Sequence, residues 1–434
     1  MPTIMYNVIM RYIFASIFLV LILVVPWLML HPEQASIVYS FIGHAEKQVA
    51  AVILSHSPKS VIDIKNKYFS GDSSFWNRKP ASKVKVLIVP GHEPNYGGAE
   101  YSTLFERKMV VDLAKELEKF IASNDRYQVF VSRDQTDWSP IFSSYFKSNW
   151  DEIIAWTKGH QEEVKKLERI GEFHPAVSPV IHNKAPKDVA YRLYGMSKWS
   201  NENDIDIIIH VHFNDHPGHS KTSPGQYSGF AIYIPEGAYF NSTTTEAVAH
   251  AVFNRLQKYN PVSDFPGEKS GIVETQDLIA VGAYNSLNAP SMLIEYGYIY
   301  EQQFNKPELY DIAIKDLAFQ TYLGLQDFFD DKNPSNLDGH TDTLLMPYTW
   351  ERQIVDNKYD SKDVFSLQTA LVNDGVYPPE DKTFNDCPRT GSFGNCTKKA
   401  VELFQKKRGV KGEYGMVGNK TLEELNKTYS IKVI

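Results

Sequence analysis

Apolar and polar positions follow two rhythms along this chain, and the changes of rhythm outline its elements. Val84–Val89 (VKVLIV) is a short apolar run closed by Pro90-Gly91, which predicts a buried strand. Phe105–Ala122 carries Val110, Leu113, Leu117 and Ile121 at helical spacing and predicts an amphipathic helix. Gln128–Ser132, Ile205–His212, Gly229–Ile234 and Met292–Tyr296 predict further strands, and Glu246–Gln257 and Leu309–Phe329 further helices. Strands alternating with helices imply an α/β fold with a mostly parallel sheet flanked by helices. Such sheets bind their ligands at the carboxyl ends of strands.

Between Asp134 and Arg192 this rhythm is interrupted. Trp138, Phe142, Tyr145, Phe146, Trp150 and Trp156 fall here, and Ser148–Ile170 predicts a helix. Aromatics at helical spacing read first as core, so the segment of about 135–190 is expected to be a packed helical insertion. The sharper reading is a wall or lid beside a site.

The N-terminus has a different pattern. Tyr12–Leu30 (YIFASIFLVLILVVPWLML) contains no charge, and as a helix would span about 28 Å, roughly one bilayer core. Arg11 precedes it and no Lys or Arg follows until Lys47, which predicts a cytoplasmic N-terminus and an exported remainder. The rival reading is a cleaved signal peptide, but the run is long for one and HPEQAS offers no clean cleavage site. Residues 35–57 are expected to form a second, more amphipathic helix.

Composition narrows the field. The chain has 434 residues, enough for two or three domains, and 43% of them are hydrophobic, which excludes low-hydrophobicity disorder. A net charge of −7 argues against a dedicated nucleic-acid binder. Two cysteines exclude a disulfide-built scaffold and a four-cysteine zinc site. Cys387 and Cys396 flank a short segment with Pro388 and Gly391, and in an exported domain they can pair.

Four polar residues sit where chemistry is expected. His92 follows the first strand, Glu106 opens the next helix, His212 ends a third strand, and Glu295 ends the last one. Two histidines and a carboxylate are a ligand set for catalytic zinc that leaves a position for water. An unligated carboxylate beside them would take the proton of that water and pass it to a leaving group. His210 competes with His212, because residues i and i+2 of a strand share a face.

The motifs VLIVPGHEPNYGGAE, FERKMVVDLAKEL, IDIIIHVHFN and DLIAVGAYNSLNAPSMLIEYGY resemble, in order, those of zinc-dependent N-acetylmuramoyl-L-alanine amidases. The resemblance covers about Val84–Phe329 apart from the insertion. It implies that His92, Glu106 and His212 bind Zn2+ and that Glu295 is the catalytic carboxylate. The family's His-x-Asn matches His212-Phe213-Asn214 and so favours His212 over His210. The reaction implied is hydrolysis of the amide between the lactyl group of N-acetylmuramic acid and the L-Ala of the stem peptide. Two departures stand out: Glu93 where the family commonly has Gly, and the long insertion.

The C-terminal segment resembles a small three-helix peptidoglycan-binding domain through Val364-x-x-Leu367-Gln368-x-x-Leu371, Thr390-Gly391-Ser392-Phe393-Gly394 with Ala400-Val401-x-x-Phe404-Gln405, and Gly418-x-x-Thr421-Leu422-x-x-Leu425. The expected organisation is an N-terminal anchor at 1–34, a stalk at 35–82, the zinc amidase domain at 83–329, a linker at 330–360 and a peptidoglycan-binding domain at 361–434. The expected partners are peptidoglycan and, through the N-terminal helix, the cell membrane, with the catalytic domain outside and no nucleic acid. A non-catalytic wall-binding scaffold and a zinc peptidase cutting another stem-peptide bond are the alternatives.

Overall fold

The computed structural model describes residues 58–69, 82–174, 178–180, 182, 184–329, 342–355 and 361–430. The expected anchor at 1–34 and most of the expected stalk lie outside the described residues. Among the described residues no helix is long and apolar enough to cross a membrane.

In chain order the elements are α1 (Val61–Phe69), β1 (Val84–Pro90), β2 (Glu100–Tyr101), β3 (Leu104–Phe105), α2 (Glu106–Ala122), β4 (Tyr127–Val131), α3 (Pro140–Arg169) and α4 (Lys187–Glu202). They continue with β5 (Ile207–Asn214), β6 (Ala231–Pro235), α5 (Ser242–Leu256), β7 (Ile272–Thr275), β8 (Ser291–Tyr298), α6 (Gln302–Asn305) and α7 (Pro307–Phe329). Three helices close the chain: α8 (Ser361–Asn373), α9 (Asn395–Arg408) and α10 (Asn419–Tyr429).

One six-stranded sheet runs β4-β1-β5-β8-β6-β7. Every neighbouring pair in it is parallel except β6 against β8. Its central strands are apolar on both faces because helices cover both. On one face Val86, Ile88, Ile209, Val211 and Ile294 pack with Val110, Leu113 and Leu117 of α2 and with α5 and α7. On the other, Leu87, Val89 and Ile208 meet Phe142, Phe146, Tyr194 and Trp199 of α3 and α4. The aromatic insertion is therefore a helical layer of the core, and that layer continues past residue 190 into α4, which lacks the periodicity that would have announced it.

Three boundaries differ from the sequence reading. The stretch after residue 58, part of the expected stalk, holds α1, whose Ile64 and Tyr68 are buried; Tyr68 stacks on Phe329 at 4.0 Å. Two buried positions in nine residues are too few to show a period. Strand β7 was not anticipated either, being four residues long. Residues 342–355 fall in the expected linker, yet Leu345, Met346, Trp350 and Ile354 are buried in the core of the C-terminal unit.

That unit is a three-helix arrangement in which Leu367, Leu371, Val401, Phe404 and Leu425 are all buried. Cys387 and Cys396 form a disulfide. The unit docks on α7: Leu309 shares its apolar cluster, and Lys306 Nζ donates to Thr390 O at 2.9 Å and Ser392 Oγ at 2.6 Å.

Candidate active site

Where β1, β5 and β8 end, the chain brings polar groups together. Side chains at alternate positions share a sheet face, and His212 lies on the same face as Leu87, Val89 and Ile208. Glu295 of β8 is its register partner across a parallel pair, one strand spacing of about 4.8 Å away. His92 follows β1 directly and has φ +67°, in the left-handed region. The turn beside it needs Gly91, since a Cβ there would lie 2.3 Å from the His212 ring. Gly98, at φ +81°, is held to the same limit: a Cβ would come within 2.9 Å of His92 and 3.1 Å of Glu106.

Glu106 is the first residue of α2, where the helix dipole favours a carboxylate, and it is 4% exposed. Its Oε2 accepts the Ala99 N–H at 2.9 Å and its Oε1 the Phe213 N–H at 3.1 Å, so two backbone donors fix its plane. His92 Nε2 lies 2.7 Å and His212 Nδ1 3.2 Å from Glu106 Oε1. The ligating atoms of these three residues all fall within 4.8 Å of one another.

The donor set passes a fit test for a metal. His92 Nε2 is shielded from solvent and close to Glu106 Oε1, yet not aligned to hydrogen-bond it. Two ligand atoms side by side and aimed at a common third point have this geometry. Two imidazoles and a carboxylate are also the ligand types of a three-ligand zinc site with one open position.

Electrostatics agree with that convergence. Burial works to raise the Glu106 pKa, but the His92 and His212 rings hold it well below the ordinary carboxylate range. Burial lowers the His212 pKa against the pull of Glu106. His210, one register step deeper and outside the cluster, is 5% exposed and pushed down to about 3, chiefly by burial and then by His212. It is a neutral core histidine. Burial pushes the Glu295 carboxyl well above its usual range, and the Glu106 and Glu268 carboxylates add to the shift. Its Oε2 has no hydrogen-bond partner among the described residues.

Three residues around the site escaped the sequence reading. Glu268 is 2% exposed and accepts from Tyr233 Oη at 2.5 Å and Asn214 Nδ2 at 2.8 Å, behind Glu295. Arg133, also 2% exposed, donates to backbone carbonyls of Pro90, Gly91, Arg107 and Asp134. Arg192 of α4 donates to Glu93 at 2.8 Å. No periodicity marks any of them, and only the position of Arg133 just after a strand could have drawn notice.

A family model for N-acetylmuramoyl-L-alanine amidase matches residues 86–307, just over half of the 434-residue chain, with all four site residues inside the match. The chain belongs to the N-acetylmuramoyl-L-alanine amidase family. This amidase hydrolyses the bond between N-acetylmuramic acid and L-alanine of the peptidoglycan stem peptide. A second model, for a peptidoglycan binding domain, matches its residues 360–425. Among solved structures, the amidase is similar to the CwlD amidase of Clostridioides difficile in complex with the GerS lipoprotein: 15% identity, TM-score 0.39, covering 57% of this chain and 100% of that one. An N-acetylmuramoyl-L-alanine amidase of Clostridium difficile matches at 19% identity and TM-score 0.35, over 58% of this chain and 99% of its own. A Mycobacterium smegmatis amidase matches at 13% identity and TM-score 0.38, over 58% and 100%. No curated protein matches the sequence.

Proposed function

We propose that the amidase is a zinc hydrolase whose metal is held by His92, Glu106 and His212 and whose general base is Glu295. The observation that carries this reading is the convergence of three ligating atoms within 4.8 Å at the strand ends, with Glu295 in register beside His212. When bound, zinc would supply a Lewis acid that lowers the pKa of a water and polarises the lactyl amide carbonyl.

The chain's own groups do the rest. Glu106, fixed by the Ala99 and Phe213 amides, keeps one carboxylate edge toward both imidazoles. Glu295 takes a proton from the attacking water and delivers it to the departing amine of L-Ala, which otherwise would leave as an unstable amide anion. Its Oε2, without a hydrogen-bond partner among the described residues, is available for both transfers. Tyr233 and Asn214 hold the Glu268 side chain in place near it.

The test is to incubate the purified protein with muropeptides, with and without a chelator, and identify the new ends by mass spectrometry. Free L-Ala amino termini that vanish on chelation are expected. Cleavage at another stem-peptide bond would show a peptidase instead, and binding without cleavage a scaffold.

The C-terminal unit is proposed to hold the enzyme on peptidoglycan, and Tyr12–Leu30 to anchor it in the cell membrane with the catalytic domain outside. Arg11 before the span and the lack of basic residues just after it support that orientation. Protease added to spheroplasts is expected to digest the catalytic domain, and protection of that domain would overturn the topology.

A further inference from the structure

Glu93 follows His92 directly, and the family commonly has Gly at this place. Here the side chain is a carboxylate that is 6% exposed. Burying a carboxylate is costly unless it is paired, and an apolar residue would avoid the cost. Its partner is Arg192, whose Nε donates to Glu93 Oε1 at 2.8 Å. The same guanidinium reaches Asp188 Oδ2 at 2.6 Å and Tyr96 Oη at 3.3 Å, and Tyr96 Oη donates to Asp188 at 3.2 Å. Tyr96 belongs to the loop that carries His92, so Arg192 grips that loop at two points.

Arg192 stands on α4, which is not free to move with the loop. Tyr194, Met196 and Trp199 of that helix are buried against Leu87, Val89 and Ile208 of the sheet and against Phe142 of α3. From the opposite side, Arg133 donates to the carbonyls of Pro90 and Gly91, just before His92, and of Arg107, just after Glu106. Its charge also acts on Glu93 and Glu106. The backbone around two metal-binding residues is thus held by two arginines, one just after β4 and one on α4.

We propose that Glu93 and Arg192 are positioning residues for the metal site: their ion pair ties the His92 loop to α4, in the layer built by the aromatic insertion, and presets the His92 imidazole. This rests on the reading of His92, Glu106 and His212 as zinc ligands. It assigns the insertion a part in assembling the site, and it gives a reason for a buried acid at a position where glycine suffices elsewhere. In this chain the loop's geometry is fixed by a side-chain latch to α4.

The test compares the full-length protein with Glu93→Gln, Arg192→Gln and the double variant. Zinc affinity is read by competition with a chromogenic chelator, ligand geometry by the visible spectrum of the Co2+-loaded protein, and folding by circular dichroism of the metal-free protein. Partners outside the ligand shell typically change metal affinity 10–100-fold. Each single variant is expected to lose affinity by about that factor and to alter the cobalt spectrum. The double variant is expected to lose no more than the worse single one, because the two residues act as one pair. Arg192→Lys, which keeps the charge but not the two-pronged grip, serves if a neutral variant fails to fold; it too should lose affinity. Folded variants with affinity within about twofold of the parent and an unchanged cobalt spectrum would overturn the latch while leaving the metal site intact. Failure of the unaltered protein to bind zinc would overturn the site itself, and the latch with it.

Discussion

Arg389 joins the C-terminal unit to the catalytic domain, and replacing it should loosen the two from each other. Its side chain is 2% exposed and that of its partner Asp316, on α7, 3% exposed. The guanidinium lies 3.3 Å from Asp316 Oδ2 and donates to Tyr259 O at 2.7 Å and to Thr369 Oγ1 at 2.7 Å. Its plane also sits over the Tyr259 and Phe365 rings, at 5.0 and 4.8 Å. Tyr259 and Asp316 belong to the catalytic domain, Thr369 and Phe365 to the small unit.

Arg389→Met keeps much of the volume and the ring contacts but leaves Asp316 buried with Thr343 Oγ1, at 3.1 Å, as its remaining side-chain donor. Breaking one side of a buried pair typically costs about 3–5 kcal/mol, because the other charge stays inside without compensation. Both groups are almost wholly shielded, so no discount for solvent screening applies. Arg389→Met/Asp316→Leu removes that stranded charge and should recover much of the loss. The assay is urea unfolding of the single and double variants, with calorimetry to see whether the small unit now melts by itself. A loss below about 1 kcal/mol for Arg389→Met, or a double variant as unstable as the sum of the singles, would refute the coupling.

Glu295→Gln preserves shape and hydrogen bonding but removes the base, so muropeptide hydrolysis should fall by about 100-fold or more with zinc still bound. His212→Ala should lose zinc and activity together, whereas His210→Ala should keep zinc and lose stability; metal content by elemental analysis separates them. Reducing the Cys387–Cys396 bond, which closes a loop across a sequence separation of 9, should cost the C-terminal unit about 2.5–3 kcal/mol in a chain-entropy account, read as a lower urea midpoint in reductant. Asp342 has its pKa lowered; burial opposes the shift, and Lys258 and Arg255 overcome it. A depressed carboxyl stabilises above its unfolded value of about 3.9 and loses that contribution as pH falls through the folded value. Asp342→Asn should therefore destabilise at neutral pH and have little effect below the folded value, as pH-dependent melts would show.

The sheet was legible because its central strands are buried on both faces and so appear as unbroken apolar runs. Ile207–Asn214 and Ser291–Tyr298 were found within a few residues on that signal alone. Two of the short elements were not. Strand β7 has four residues at the sheet's edge, and α1 shows two buried positions. Residues 342–355 follow the polar, Pro- and Gly-containing stretch 330–341 and were read with it as linker, yet Trp350 and Ile354 complete a core supplied mostly by the three helices after them. The insertion's aromatics announced a core without saying which surface they cover, because that depends on the face of the sheet that α3 and α4 meet.

The four site residues were legible for a different reason: each lies at or within three residues of the end of an element, and α/β sheets gather such ends at one edge. Choosing between His210 and His212 from the residues alone was beyond reach, since both have the same parity on one strand. The neighbouring strands make the difference. His210 pairs with Val89 and Leu293, inside the ladder on both sides, where there is no room for a ligand and burial keeps the ring neutral. The ladder between β1 and β5 ends at Pro90 and Val211. His212 is the next residue, so its ring emerges where β1 has stopped, over Gly91 and against Glu106. A strand's functional residue is therefore set by where its neighbour ends, a long-range property that apolar periodicity does not encode. The same holds for Glu93: its local sequence says only that an acid follows a histidine, and its partner lies 99 positions away on a helix of the insertion layer.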